Sequence, residues 1–167
     1  MQGIHYGTPQ ANSLQLVKYY FEKYPEDASK VVLGIKGAYD IRTGPNGSPE
    51  GIRASVEEAV RVLDGTKTID VFECARGDPN VPIETSVKAL AELVKEGKIG
   101  GIGLSEVSAD TIRKAYAIHP ISAVEIELSL FTPDPISNGI ADSCRERTYP
   151  WKKLESQEPS TDSVIDT

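Results

Sequence analysis

Four short apolar runs begin at Val31, Ile69, Ile99 and Ile121, and a stretch of helical periodicity separates each from the next. Strand–helix–strand alternation demands parallel strands, because antiparallel neighbours need only a tight turn between them. With right-handed crossovers, two architectures satisfy it: a doubly wound sheet and a (β/α)8 barrel. A dinucleotide-binding doubly wound fold carries G-x-G-x-x-G where its first strand enters a helix. Here Gly100-Gly101-Ile102-Gly103 lies within a strand run instead. That favours the barrel, yet a complete one needs eight strands and about 250 residues. This chain has 167 residues. The expected fold is α/β, a partial (β/α)8 TIM barrel of about four parallel strands with their helices, the closing strands missing.

Turn formers Gly3, Gly7, Pro9 and Asn12 mark residues 1–12 as a loop. Asn12 or Ser13 caps a helix to about Tyr24, striped by Leu14, Val17 and Phe21 and stopped by Pro25. Residues 31–36 then read as a strand buried on both faces. A polar loop covers 38–49, and Ser48-Pro49-Glu50 opens a helix to about Leu63. Residues 68–73 form a second strand and 83–96 the clearest helix, ended by Gly97. A third strand runs from Ile99 through Leu104 into Ser105, and Ser108 caps a helix over 109–118. The fourth strand spans 121–129, and a last helix spans 138–147. Beyond it the sequence turns polar and aperiodic. We expect a barrel unit over 1–147 and a disordered tail over 148–167.

Charge narrows the function. A net charge of −7 and a pI near 4.9 argue against a nucleic-acid surface, which needs clustered Lys and Arg. No run approaches the roughly 20 apolar residues that span a bilayer, and the N-terminus lacks a signal pattern. Cys74 and Cys144 show no metal-ligand spacing and read as reduced thiols. His5 and His119 also lack metal-like spacing, so no metal is expected. The expected setting is cytoplasmic or nuclear.

Lys36 is the oddity, a cation ending an apolar strand. In a parallel barrel that end faces the ligand, though a strand-end lysine also snorkels to water without further role. Tyr6 sits beside a glycine before the first helix, as a packing residue or as a general acid. A phenol with pKa near 10 donates poorly at neutral pH unless a cation lowers that value. Lys36 lies at the same end of the sheet. Ser105 closes its strand and is able to hydrogen-bond an amide. Glu125 and Glu127 alternate with Ile126, which puts both carboxylates on one strand face. That face is either a barrel mouth or solvent.

In order, Tyr6-Gly7, the run from Val31 to Gly37, the strand and loop over 68–79, the segment 94–106 and the strand over 124–131 resemble the aldo-keto reductase superfamily. The similarity is closest to its fungal pyridoxal-reductase-like branch and covers roughly residues 4–143. It implies a (β/α)8 barrel that binds NADPH without a Rossmann turn and moves hydride to a small aldehyde or ketone. Tyr6 would be the catalytic proton donor and Lys36 the cation that lowers its pKa. Ser105 would contact the cofactor's carboxamide. Glu125 would stand at the cofactor position usually held by glutamine.

The match departs from the family at several positions. The family's histidine position falls on Ala75, its aspartate position on Met1, and its asparagine after the serine is Glu106. The first two strands and everything after the sixth are absent, as expected of a chain truncated at both ends. With them go the aromatic that stacks on the nicotinamide and the basic residues for the 2′-phosphate. Weak NADPH binding and self-association through open barrel edges are therefore expected of the chain alone. The competing expectation is a catalytically inactive barrel fragment, or an interaction protein, from a truncated gene.

Overall fold

Side-chain caps decide where the helices begin. The computed structural model describes residues 7–8 and 11–145. In it Asn12 and Gln15 form a reciprocal box at the start of α1 (Ser13–Lys23). Asn12 Oδ1 accepts from the Gln15 amide at 3.1 Å, and Gln15 Oε1 accepts from the Asn12 amide at 3.2 Å. Ser48 accepts from the Gly51 amide ahead of α2 (Pro49–Leu63), whose first residue is proline. Ser108 accepts from the Thr111 amide ahead of α4 (Ala109–Ile118). Each cap satisfies an amide that the helix itself leaves without a partner. The helices α3 (Ile83–Lys95) and α5 (Ile140–Arg145) complete the set.

Between these helices run β3 (Gly34–Gly37), β6 (Val71–Cys74), β7 (Ile102–Ser105) and β8 (Ala123–Glu125). They lie side by side in that order, every pair parallel. The strand–helix alternation is thus realised as a four-stranded parallel barrel segment. Two small antiparallel pairs decorate it, β1 (Gly7–Thr8) with β2 (Ala11–Asn12), and β4 (Tyr39–Asp40) with β5 (Gly44–Pro45). Both fall where loops are expected. Gly44, with φ +81°, supplies the turn of the second.

The strands differ from expectation at their ends. The first begins at Gly34 rather than Val31, and Val31 and Val32 are exposed. Among the described residues it lies at an edge with β6 as its one partner, so its N-terminal half is not covered on both sides. Pairing starts where the Asp70 carboxylate accepts the Leu33 amide at 2.7 Å. The second strand runs from Val71 to Cys74, with an isolated bridge from Ile69 to Ile99 before it. The third starts at Ile102. The fourth stops at Glu125 instead of reaching residue 129, because β8 is the other edge and the chain bends away there.

Alternation then assigns the faces. Ile35, Phe72, Ile102 and Leu104 face the helices and pack with Ile52, Val56, Leu63, Val87, Leu90, Leu93 and Ile112. Lys36, Glu73, Gly103 and Ser105 occupy the intervening positions, on the opposite face. The register sets Lys36 beside Glu73 and Glu73 beside Gly103, in one row across three strands.

Candidate functional site

The inner face of the sheet collects the charge that the outer face excludes. Lys36 Nζ lies 2.5 Å from Glu125 Oε1 and 3.8 Å from Glu73 Oε1. These three side chains, from the first, second and fourth strands of the sheet, line a cavity of about 730 Å³. Leu14 and Val17 of α1 form its apolar wall, and Tyr39, Ala75 and Arg76 stand at the strand ends. An apolar cleft with a few convergent polar groups at the C-terminal ends of parallel strands is the usual form of a ligand site.

Glu73 is the buried member of the set, 8% exposed. Burial pushes its carboxyl up to about 7, and the neighbouring Glu125 adds to the rise while Lys36 opposes it. Space for it comes from Gly103. A Cβ there would stand 2.9 Å from Glu73 Cβ and 3.1 Å from its Oε2. Next along the strand, burial pushes the Cys74 thiol up to about 12, with Glu73 and Asp78 contributing. That thiol is inert at neutral pH.

The raised Glu73 value makes a prediction about stability. The folded chain binds this proton more tightly than the unfolded chain, whose carboxyl has its ordinary value of 4.5. The associated stability is full below that value and is lost as pH rises through about 7. The loss amounts to up to about 3 kcal/mol. Arg53 instead holds Glu96 down to about 2, so its effect falls at acid pH. Urea midpoints should therefore drop between pH 5 and pH 8, and Glu73→Gln should flatten the profile. Equal slopes in the two proteins would remove Glu73 as the cause.

Of the residues singled out from the sequence, Lys36 and Glu125 are brought together as an ion pair. Ser105 closes β7 beside Glu125 in the register. Its hydroxyl is buried and finds no hydrogen-bond partner among the described residues. An orphaned hydroxyl at this end of the sheet fits a group that brings its own amide. Tyr6 lies outside the described residues, as do His5 and the tail over 148–167.

Glu127 does not share the strand face of Glu125, since β8 has already ended. Its amide donates to Glu106 Oε1 at 2.8 Å, and its own Oε1 accepts from the Thr132 hydroxyl. Glu106 has φ +53°, in the left-handed region that asparagine tolerates better than glutamate. Its amide donates to the Glu125 carbonyl at 2.9 Å. Backbone and side chain of Glu106 together tie β7's exit to β8.

Glu73 is the site residue that sequence reasoning missed. A signal was present. In Val71-Phe72-Glu73-Cys74-Ala75 the one charge falls in step with Ala75, so the two share a face. Among the described residues no helix is long and apolar enough to cross a membrane.

Known proteins resemble this chain in sequence and in fold. The Aldo/keto reductase family matches residues 5–156. A fission-yeast protein (Schizosaccharomyces pombe) named "Probable pyridoxal reductase 2" is 49% identical over 150 residues, covering 89% of this chain and 45% of its own length. A soybean (Glycine max) protein named "Probable aldo-keto reductase 1" is 47% identical over 119 residues, covering 71% of this chain and 33% of its own. Among solved structures, the glycerol dehydrogenase of Gluconobacter oxydans superposes with a TM-score of 0.72 at 20% identity. That match covers 93% of this chain and 50% of the other. The chain spans less than half the length of these curated relatives. Parallel strands in sequential order, a lysine closing the first of them and a family match over most of the chain agree: it belongs to the Aldo/keto reductase family.

Proposed function

We propose that the chain serves an NADP-dependent oxidoreductase that reduces a small aldehyde or ketone, with pyridoxal as the first substrate to test. One observation carries this reading. A lysine at the C-terminal end of a parallel strand is held by carboxylates in a cavity large enough for a small substrate. Pyridoxal is suggested by the name of the fission-yeast relative.

In this reading bound NADPH supplies the hydride. Tyr6 gives its proton to the carbonyl oxygen, and solvent returns one to the phenolate. The Lys36 ammonium favours the phenolate and so brings the donor toward the working pH. Ser105 offers its hydroxyl to the carboxamide. Glu125 flanks the same position and anchors Lys36. The Ala75 side chain offers no donor, so the substrate oxygen would depend on Tyr6.

The edges favour a second reading. Among the described residues, strands β3 and β8 each have a single partner in the sheet, and unpaired edges invite association. The chain would then act as a non-catalytic barrel segment that self-associates. Calorimetric titration with NADPH, turnover of pyridoxal and sedimentation separate the two. Saturable binding with turnover supports the reductase. A folded chain that does neither, and whose mass rises with concentration, supports the barrel segment.

A further inference from the structure

We propose that Glu73 is a positioning residue for Lys36: seated over Gly103, its carboxyl keeps the ammonium on the inner face of the sheet, in concert with Glu125. The proposal rests on the reductase reading only for what Lys36 is held to do. The holding itself is read from the geometry.

Three observations converge on it. Lys36 and Glu73 are register partners on adjacent parallel strands, so their side chains leave the sheet at the same level. Glu73 Oε1 lies 3.8 Å from Nζ, while Glu125, from the far strand, makes the short contact at 2.5 Å. The partners differ in freedom, the Glu125 side chain being 62% exposed and that of Glu73 11%. An exposed carboxylate loses side-chain entropy to hold its partner, whereas a packed one has already lost it. Glu73 is therefore the fixed member and Glu125 the mobile one.

Gly103 belongs to the same device. It continues the row from Lys36 through Glu73 and has no side chain. Glu73 Cβ and Oε2 lie so near its missing Cβ that a methyl group would push the carboxyl aside. The charged groups facing Glu73 are Lys36 from β3 and Glu125 from β8, with Arg76 and Tyr39 lining the same cavity. Below neutral pH Glu73 keeps its proton and its pull on Lys36 weakens. Above it the ionised carboxylate adds a second negative partner.

The test uses the full chain without cofactor. Lys36 is acylated with acetic anhydride, and its labelling is followed by peptide mass spectrometry, with Lys114 as a surface reference. At pH 8, Glu73→Gln should speed Lys36 labelling several-fold, because losing one carboxylate leaves more of the amine unprotonated. At pH 6 the two proteins should label alike. Glu73→Asp should fall between them, and Gly103→Ala should copy Glu73→Gln. If Gly103→Ala fails to fold by circular dichroism, the Gln and Asp variants still decide. Labelling of Glu73→Gln at the parent rate at pH 8, or a ratio that does not change with pH, would overturn the proposal. None of these readouts requires turnover. If Tyr6 proved dispensable for reduction, the reductase reading would fail while the labelling result stood.

Discussion

Under the proposed reductase function, replacing Tyr6 with phenylalanine is expected to lower pyridoxal reduction by about 10²–10⁴-fold, the range for losing a positioned general acid. On the proposed reductase reading, affinity for NADPH should be unchanged, because the lost hydroxyl would act on the substrate oxygen. The size of the effect follows from what else the site offers. Ala75, which lines the cavity, has no side chain able to donate a proton in place of the phenol. Lys36→Met should produce a comparable loss by another route. The phenol remains, but without the ammonium its pKa would lie nearer 10, so the alkaline fall in rate should move to higher pH. Steady-state rates across pH distinguish the two variants. Full turnover in Tyr6→Phe would take Tyr6 out of the mechanism.

Phe72→Ala is expected to destabilise the fold by about 3–5 kcal/mol, as for buried aromatic truncations elsewhere. Phe72 is completely buried and is the largest such side chain in the described core. It sits on β6, an inner strand, where its ring packs under the helices rather than toward the cavity. The deletion therefore removes apolar burial and opens a void that paired strands on both sides cannot close. Leu16, 70% exposed on α1, is the control. Leu16→Ala should stay within about 0.5 kcal/mol of the parent. Urea unfolding measures both. A cost below about 1 kcal/mol for Phe72→Ala would mean that sheet and helices do not share one cooperative core.

Helices were more legible in the sequence than strands, for a physical reason. A helix boundary is settled within a few residues. Asn12, Ser48 and Ser108 cap the amides three positions on, and those contacts are local. A strand boundary depends on its neighbour. Val31 and Val32 look like buried strand from their side chains, yet they precede the pairing because the sheet ends there. Residues 126–129 fail for the same reason at the opposite edge.

Lys36 and Ser105 stand out in the sequence as polar residues ending apolar runs, and Glu125 by its alternation with Ile126 and Glu127. That Lys36 meets Glu125 was not legible, since the two are far apart in sequence and three strands apart in the sheet. For Glu73, alternation with Ala75 gives the face but not the burial. Its character comes from register with Lys36 and from the absence of a side chain at Gly103.

The Lys36–Glu125 contact has a geometric consequence. Its partners belong to the two outermost strands, with β6 and β7 between them. Laid flat, those strands would be about 14 Å apart, three strand spacings of just under 5 Å. The ammonium and carboxylate meet because the sheet is bowed, and the pair spans that bow as a chord spans an arc. A curved sheet shows any incoming strand a bent edge. Such an edge accepts a surface that continues the curve more readily than the flat, repetitive stacking of a fibril.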